Sequence, residues 1–150
     1  MIYIGIDPGK KGAWAAVDHN RYLRGVGDMP TLDSNGRINA RALWAQICQQ
    51  VDAVDVAAVA IEDVCSFDMG RQTAFVFGHN AGVAYAIATV IAGTPIPVRP
   101  QIWKAHHSLI KAEKSASTKL AREIWGVKSI SNNGQAEAAL IADWLRVSMC

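Results

Sequence analysis

Three carboxylates stand at positions where they can act together. Asp7 ends the apolar run from Ile2 to Ile6 in MIYIGIDPGKKGAW, Glu62 ends the run from Val56 to Ile61, and Glu137 lies in the C-terminal segment, four residues after Asn133. Each has an ordinary reading: Asp7 caps a turn, and Glu62 pairs with an arginine. Two acids at neighbouring strand ends repel one another unless a cation bridges them. With no His or Cys close by in the pattern, three hard oxygen donors suit Mg²⁺ or Mn²⁺ and not zinc. Two such cations held by carboxylates are the apparatus of phosphodiester hydrolysis, one activating water and the other stabilising the leaving 3′ oxygen.

The elements that must deliver these side chains follow from pattern. The β-branched and aromatic run Ile2 to Ile6 suits a buried strand, and Pro8 and Gly9 stop it, leaving Asp7 at its carboxyl end, where open α/β sheets bind ligands. Gly12 to Val17 reads as a second strand, His19-Asn20 as a two-residue turn, and Tyr22 to Asp28 as a third strand, an antiparallel meander. After a loop over Pro30 to Gly36, Ala40, Leu43, Trp44, Ile47, Cys48 and Val51 mark one face of an amphipathic helix. Val56 to Ile61 is then a strand parallel to the first, because right-handed crossovers bring parallel strand ends to one sheet edge, and this sets Glu62 beside Asp7. Asp63 points to the opposite face of its strand.

A loop from Cys65 to Gly70 precedes a long apolar helix, Arg71 to Ile91, whose Gly78 and Gly82 permit close approach of another element, such as the same helix of a second subunit or its own sheet. Pro95 to Arg99 is the last strand, and Pro100 opens a short turn or helix with Trp103 and Lys104. Ala112 to Trp125 and Gly134 to Ser148 are helical, the latter capped by Asn132 or Asn133. On the final helix Asn133 and Glu137 share a face, whereas Asp143 is turned about 120° away from Glu137. The expected fold is α/β: a five-stranded mixed sheet with an antiparallel β1-β2-β3 meander, parallel β4 and β5, and flanking helices. One domain spans residues 1–150.

Composition supports this reading. An apolar fraction of 51% with five Trp excludes a disordered chain, and no uninterrupted apolar run reaches the roughly 18 residues that span a bilayer. The N-terminal run lacks the basic lead and cleavage site of a signal peptide, so a cytoplasmic protein without a membrane partner is expected. Cys48, Cys65 and Cys150 show no CxxC spacing, which indicates neither a disulfide framework nor a zinc site. Charge is uneven. Between Arg99 and Lys128 seven basic residues stand against Glu113 and Glu123, in a chain whose formal net charge is only +2. Such a segment is either a solvated helical face or a surface for polyanions. Trp44, Trp125 and Trp144 are expected in the core, and His106 and His107 are left between surface exposure and contact with phosphate.

Taken together, GIDPG at 5–9, IED at 61–63, FVFGHNAGV at 75–83, PQIWK at 100–104 followed by EK at 113–114, and QAEAALIA at 135–142 resemble the RuvC-like Holliday junction resolvases, especially the compact phage and prophage type. The resemblance spans nearly the whole chain. It implies an RNase H-like fold and a cytoplasmic homodimer of bacterial or phage-infected cells. It also implies a Mg²⁺-dependent endonuclease, with Mn²⁺ able to substitute, that nicks four-way and other branched DNA near the crossover. Asp7, Glu62 and Glu137 match the family's acidic metal ligands, and Lys104 and Lys114 match basic positions near the scissile phosphate. Candidate DNA contacts are Phe67, able to stack in an open junction centre or to fill space under its loop, together with Arg71, Lys104, Lys111, Lys114, Lys119 and Arg122.

One position departs from the pattern. Where the family usually places a fourth acid, this chain has Asn133, an amide that keeps one ligating oxygen and lacks the charge. Three carboxylates carry −3 against the +4 of two Mg²⁺. A module that holds junctions without cutting them is therefore the main alternative. An actin-like or sugar-kinase phosphate-binding fragment is a further one, since those folds also begin with an Asp-x-Gly turn after a strand.

Overall fold

The computed structural model describes residues 1–63 and 69–149. Phe67 and most of the loop expected between Cys65 and Gly70 lie outside the described residues. Five strands form one mixed sheet in the order β3-β2-β1-β4-β5, from β1 (Ile2–Asp7), β2 (Ala13–Asp18), β3 (Leu23–Asp28), β4 (Val56–Glu62) and β5 (Ile96–Val98). The first three are an antiparallel meander, and β4 and β5 run parallel to β1. The helices are α1 (Ala40–Gln50), α2 (Arg71–Ala92), α3 (Pro100–His106), α4 (Ser115–Trp125) and α5 (Asn133–Ser148). This is the expected sheet, with the short Pro100 segment formed as a regular helix and α4 starting three residues later than its basic run suggested.

Side-chain alternation assigns the two faces of the sheet. Ile4, Ile6, Trp14, Val59 and Ile61 point to the layer formed by α1 and α2, and Tyr3, Ala13, Ala15, Ala58 and Ala60 point to α5. The second set is small, so α5 lies very close to the strands. A Cβ on Gly5 would stand 2.2 Å from the Ala138 carbonyl oxygen and 2.6 Å from the Ala142 nitrogen, which only glycine permits. By the same alternation Asp7 shares its face with Tyr3 and Gly5, and Glu62 shares its face with Ala58 and Ala60. Both acids therefore face α5.

Several expectations need correction. The β2–β3 hairpin turns through His19, Asn20 and Arg21, closed by Asp18 N–H donating to Tyr22 O and Arg21 N–H donating to Asp18 O. Arg21 takes a left-handed φ of 69°, which adds a residue to the two expected. Cys48, placed on the apolar face of α1, is exposed. The deeply buried tryptophans are Trp14 and Trp103, while Trp44, Trp125 and Trp144 are half-buried and pack against the core from its periphery. Finally, α2 is long and apolar enough to cross a membrane by length and composition. Its interruption by His79, Asn80 and Thr89 hid this from a count of apolar runs. One side of α2 packs in the fold through Asn80, Ala84, Ala88 and Ile91.

Candidate active site

Register brings the first two acids together. Ile6 pairs with Ile61, so Asp7 and Glu62 follow each other on adjacent parallel strands, whose axes are about 4.8 Å apart. The Asp7 carboxylate is oriented by its own turn, accepting a hydrogen bond at 3.0 Å from Gly9 N–H. Gly12 N–H donates to Gly9 O at 2.9 Å and closes that turn. Glu62 is only 8% exposed and accepts at Oε1 from the Trp103 indole N–H at 3.0 Å. Glu137 comes from the first turns of α5, where Lys104 Nζ stands 3.9 Å from its Oε1 and also lies over the Trp103 ring. Helix α3 thus serves two acids, holding Glu62 through Trp103 and screening Glu137 through Lys104.

Crowding at a partly dry edge shifts the protonation of Asp7 and Glu62. Burial, with the charge of Asp7 next in importance, pushes Glu62 up to about 7 against the opposing hydrogen bond from Trp103. Burial also raises Asp7, assisted by the Glu137 charge and resisted by the Gly9 N–H. Carboxylates that resist ionising in the free protein form a site that gains strongly from a bound cation, and the all-oxygen donor set fits a hard divalent one.

A cleft of about 560 Å³ opens beside the acids, lined by Asp7, Lys10, Lys11, Asp28, Lys114, Asn133 and Glu137, among others. Asn133 reaches it from the start of α5, and its Oδ1 accepts from the Thr118 hydroxyl at 3.2 Å. The structure therefore gathers Asp7, Glu62, Asn133, Glu137, Lys104 and Lys114 at one edge. The other basic candidates are spread out. Arg71, Lys111 and Lys119 are exposed, and Arg122 is committed to the chain itself, donating from Nε to Ile130 O and from Nη2 to Ser131 O. That engagement ties α4 to the loop before α5.

Asp28 was missed. It ends β3 as Asp7 ends β1, and both pair with Ala13 across the meander, so the three residues form one row. Its Oδ1 accepts from Asn132 Nδ2 at 2.7 Å and from Gln135 Nε2 at 2.8 Å, while Asn132 caps α5 through the Gln135 N–H. Asp28 thereby anchors the end of the helix that carries Asn133 and Glu137. The signal available in the sequence was the strand-end position it shares with Asp7.

Away from the cleft, His106, His107 and Asp143 bring ligand-type atoms within 4.8 Å of one another. Asp143 already meets Arg21 at 2.8 Å and Arg146 at 2.9 Å through its two oxygens. A ring nitrogen of His107 bonds the Leu140 carbonyl at 2.8 Å. These pairings knit the hairpin and the end of α3 to α5.

No family model and no curated protein matches the sequence. Solved structures do match its fold. Thermus thermophilus RuvC in complex with a Holliday junction substrate superposes with a TM-score of 0.73 at 22% identity, covering 99% of this chain and 96% of that one. A second structure of Thermus thermophilus RuvC gives 0.64 at 21% identity, with the same coverage. The five-stranded sheet with its flanking helices is the RNase H-like fold that these structures share.

Proposed function

We propose that this protein is a RuvC-like resolvase: a single-domain, cytoplasmic, homodimeric endonuclease that binds four-way and related branched DNA and nicks it with divalent metal ions. The observation that carries the reading is the convergence of Asp7, Glu62 and Glu137 from two strands and a helix, where Glu62 feels the charge of both other acids, beside a lysine-rimmed cleft that Asp7 and Glu137 line. A fold shared with an RuvC structure that holds a Holliday junction substrate supports it.

Asp7, Glu62 and Glu137, with Asn133 Oδ1 as a neutral fourth donor, would hold Mg²⁺, or Mn²⁺ through the same oxygens. Bound there, the metal supplies positive charge to the phosphoryl group and lowers the pKa of attacking water. The chain's own groups do the rest. Gly9 N–H and the Trp103 indole fix the rotamers of Asp7 and Glu62, so the ligands need little rearrangement. Glu62, whose pKa burial raises to about 7, would release a proton to solvent on taking up a cation. Lys104 and Lys114 face the recess beside Glu137 and offset the charge of an incoming phosphate. Asn133 favours one second reading, a junction-binding module that cuts slowly or not at all, because the amide leaves the metal site one charge short.

The test is a gel assay comparing four-way, three-way and linear duplex DNA with Mg²⁺ and with EDTA, alongside Asp7→Asn. We expect Mg²⁺-dependent nicks near the branch point in the wild type, and retained binding without cleavage in the variant. Junction binding without any cleavage selects the second reading. Equal treatment of linear and branched DNA, or no DNA binding, overturns both.

A further inference from the structure

We propose that Lys11, in the turn between β1 and β2, is a phosphate-binding residue that grips the nucleic-acid backbone at the carboxylate cleft together with Lys114. This rests on the nuclease reading and deepens it, since neither Lys10 nor Lys11 belongs to the basic segment between Arg99 and Lys128.

The two neighbouring lysines have different jobs. Lys10 is spent on the fold: its Nζ donates to the Ser34 carbonyl at 3.0 Å. Its methylene stem lies so close over Gly36 that a Cβ there would meet Lys10 Cγ at 2.4 Å. Gly36 itself is held by Asn80 of α2, whose Nδ2 donates to the Gly36 carbonyl at 2.9 Å. Lys11 is exposed and makes no hydrogen bond or ion pair of its side chain among the described residues.

Its backbone is nevertheless fixed. A Cβ on Gly134 would stand 2.4 Å from the Lys11 carbonyl oxygen, so the turn is seated directly on the first turn of α5, one residue from Asn133. Thr118 of α4 bonds the neighbouring Asn133, and Lys114 lines the same cleft from the head of α4. The start of α5 is thus flanked by Lys11 and by the α4 segment carrying Lys114, next to Asp7 and Glu137. A tethered backbone with a free ammonium beside a carboxylate cleft suits a polyanion that must be drawn towards acids that would otherwise repel it.

The test measures binding, with no turnover. Wild type, Lys11→Ala, Lys11→Arg and, as a control on the opposite face of the sheet, Arg41→Ala of α1 are titrated onto a fluorescent four-way junction in Ca²⁺ at several salt concentrations, after thermal melts confirm that each variant is folded. Lys11→Ala should weaken binding by about 5- to 10-fold at low salt and reduce the slope of log K against log salt by about 1, as loss of one phosphate contact requires. Lys11→Arg should restore both, and Arg41→Ala should change neither. Wild-type affinity and slope in Lys11→Ala overturn this inference and leave the nuclease reading standing. A wild type that binds no DNA overturns both.

Discussion

Glu62 holds its proton more tightly in the folded chain than in the unfolded one, and that has a sign. Its pKa rises from the ordinary value of 4.5 to about 7, so the folded state gains stability from the bound proton below pH 4.5 and loses that gain as pH rises through about 7. By pH 8 the loss is about 3 kcal/mol. In EDTA, Glu62→Gln keeps an oxygen for Trp103 and removes the ionisation, so it should raise the melting temperature at pH 8 by roughly 5–10 °C and change it little at pH 5. Millimolar Mg²⁺ should recover stability at pH 8 in the wild type and much less in the variant. A wild-type-to-variant difference that is the same at both pH values would show that burial does not govern Glu62. Asn133 tests the same site by charge. Asn133→Asp retains an acceptor for the Thr118 hydroxyl and supplies the missing negative charge. It should raise Mg²⁺-dependent junction cleavage on the order of 10²-fold under single-turnover conditions. Equal rates at every Mg²⁺ concentration would place Asn133 outside the metal site.

At the scale of elements, the site depends on how closely α5 lies on β1. Gly5 is the contact that sets this distance, and Gly5→Ala drives a methyl into the backbone of α5 at Ala138 and Ala142, where no rotamer change relieves it. The expected cost is about 3 kcal/mol, or roughly 6–12 °C in melting temperature, with a loss of activity as Glu137 moves away from Asp7. Gly70→Ala, where nothing lies within 4 Å of the added Cβ, is the control. A Gly5→Ala variant that melts with the wild type would mean that α5 is free to shift. Much of this arrangement was legible in the chain. Asp7 and Glu62 share parity with the small residues Gly5, Ala58 and Ala60, and a parallel register between two strand-end acids follows from strand-helix-strand order. Glu137 was placed by helical spacing from Asn133. What pattern could not show were the long-range side-chain partners, Trp103 on Glu62 and Asn132 with Gln135 on Asp28, because each depends on where a helix meets a strand more than thirty residues distant in sequence. The identity of the deeply buried tryptophans was hidden for the same reason.

At the scale of the whole molecule, the described residues of one chain form one carboxylate cleft, and the proposed resolution of a symmetric junction would take two. The surface best suited to join two copies is α2. Its inward side is spent on the sheet, while Arg71, Phe75, Gly78, Gly82, Ala86 and Val90 are exposed and fall on one side of the helix by its 100° spacing. Phe75 and Val90 are 72% and 69% exposed, and an added Cβ at Gly78 or Gly82 meets nothing within 4 Å. An apolar stripe with glycines at its centre lets a partner helix approach closely and bury what a monomer would leave wet. The same helix carries the turn-holding Asn80 on its inward side, so pairing through α2 would leave both clefts intact. Light scattering at micromolar concentration should therefore give twice the chain mass of 16.2 kDa. Gly82→Arg should shift the protein to the monomer by placing a long charged side chain in the stripe, without unfolding it. On a junction the monomeric variant should leave single nicks in place of paired ones. A 16 kDa wild type, with and without DNA, would remove α2 as the dimer seat. A wild type that instead sediments with membrane vesicles in the absence of DNA would assign its apolar face to lipid.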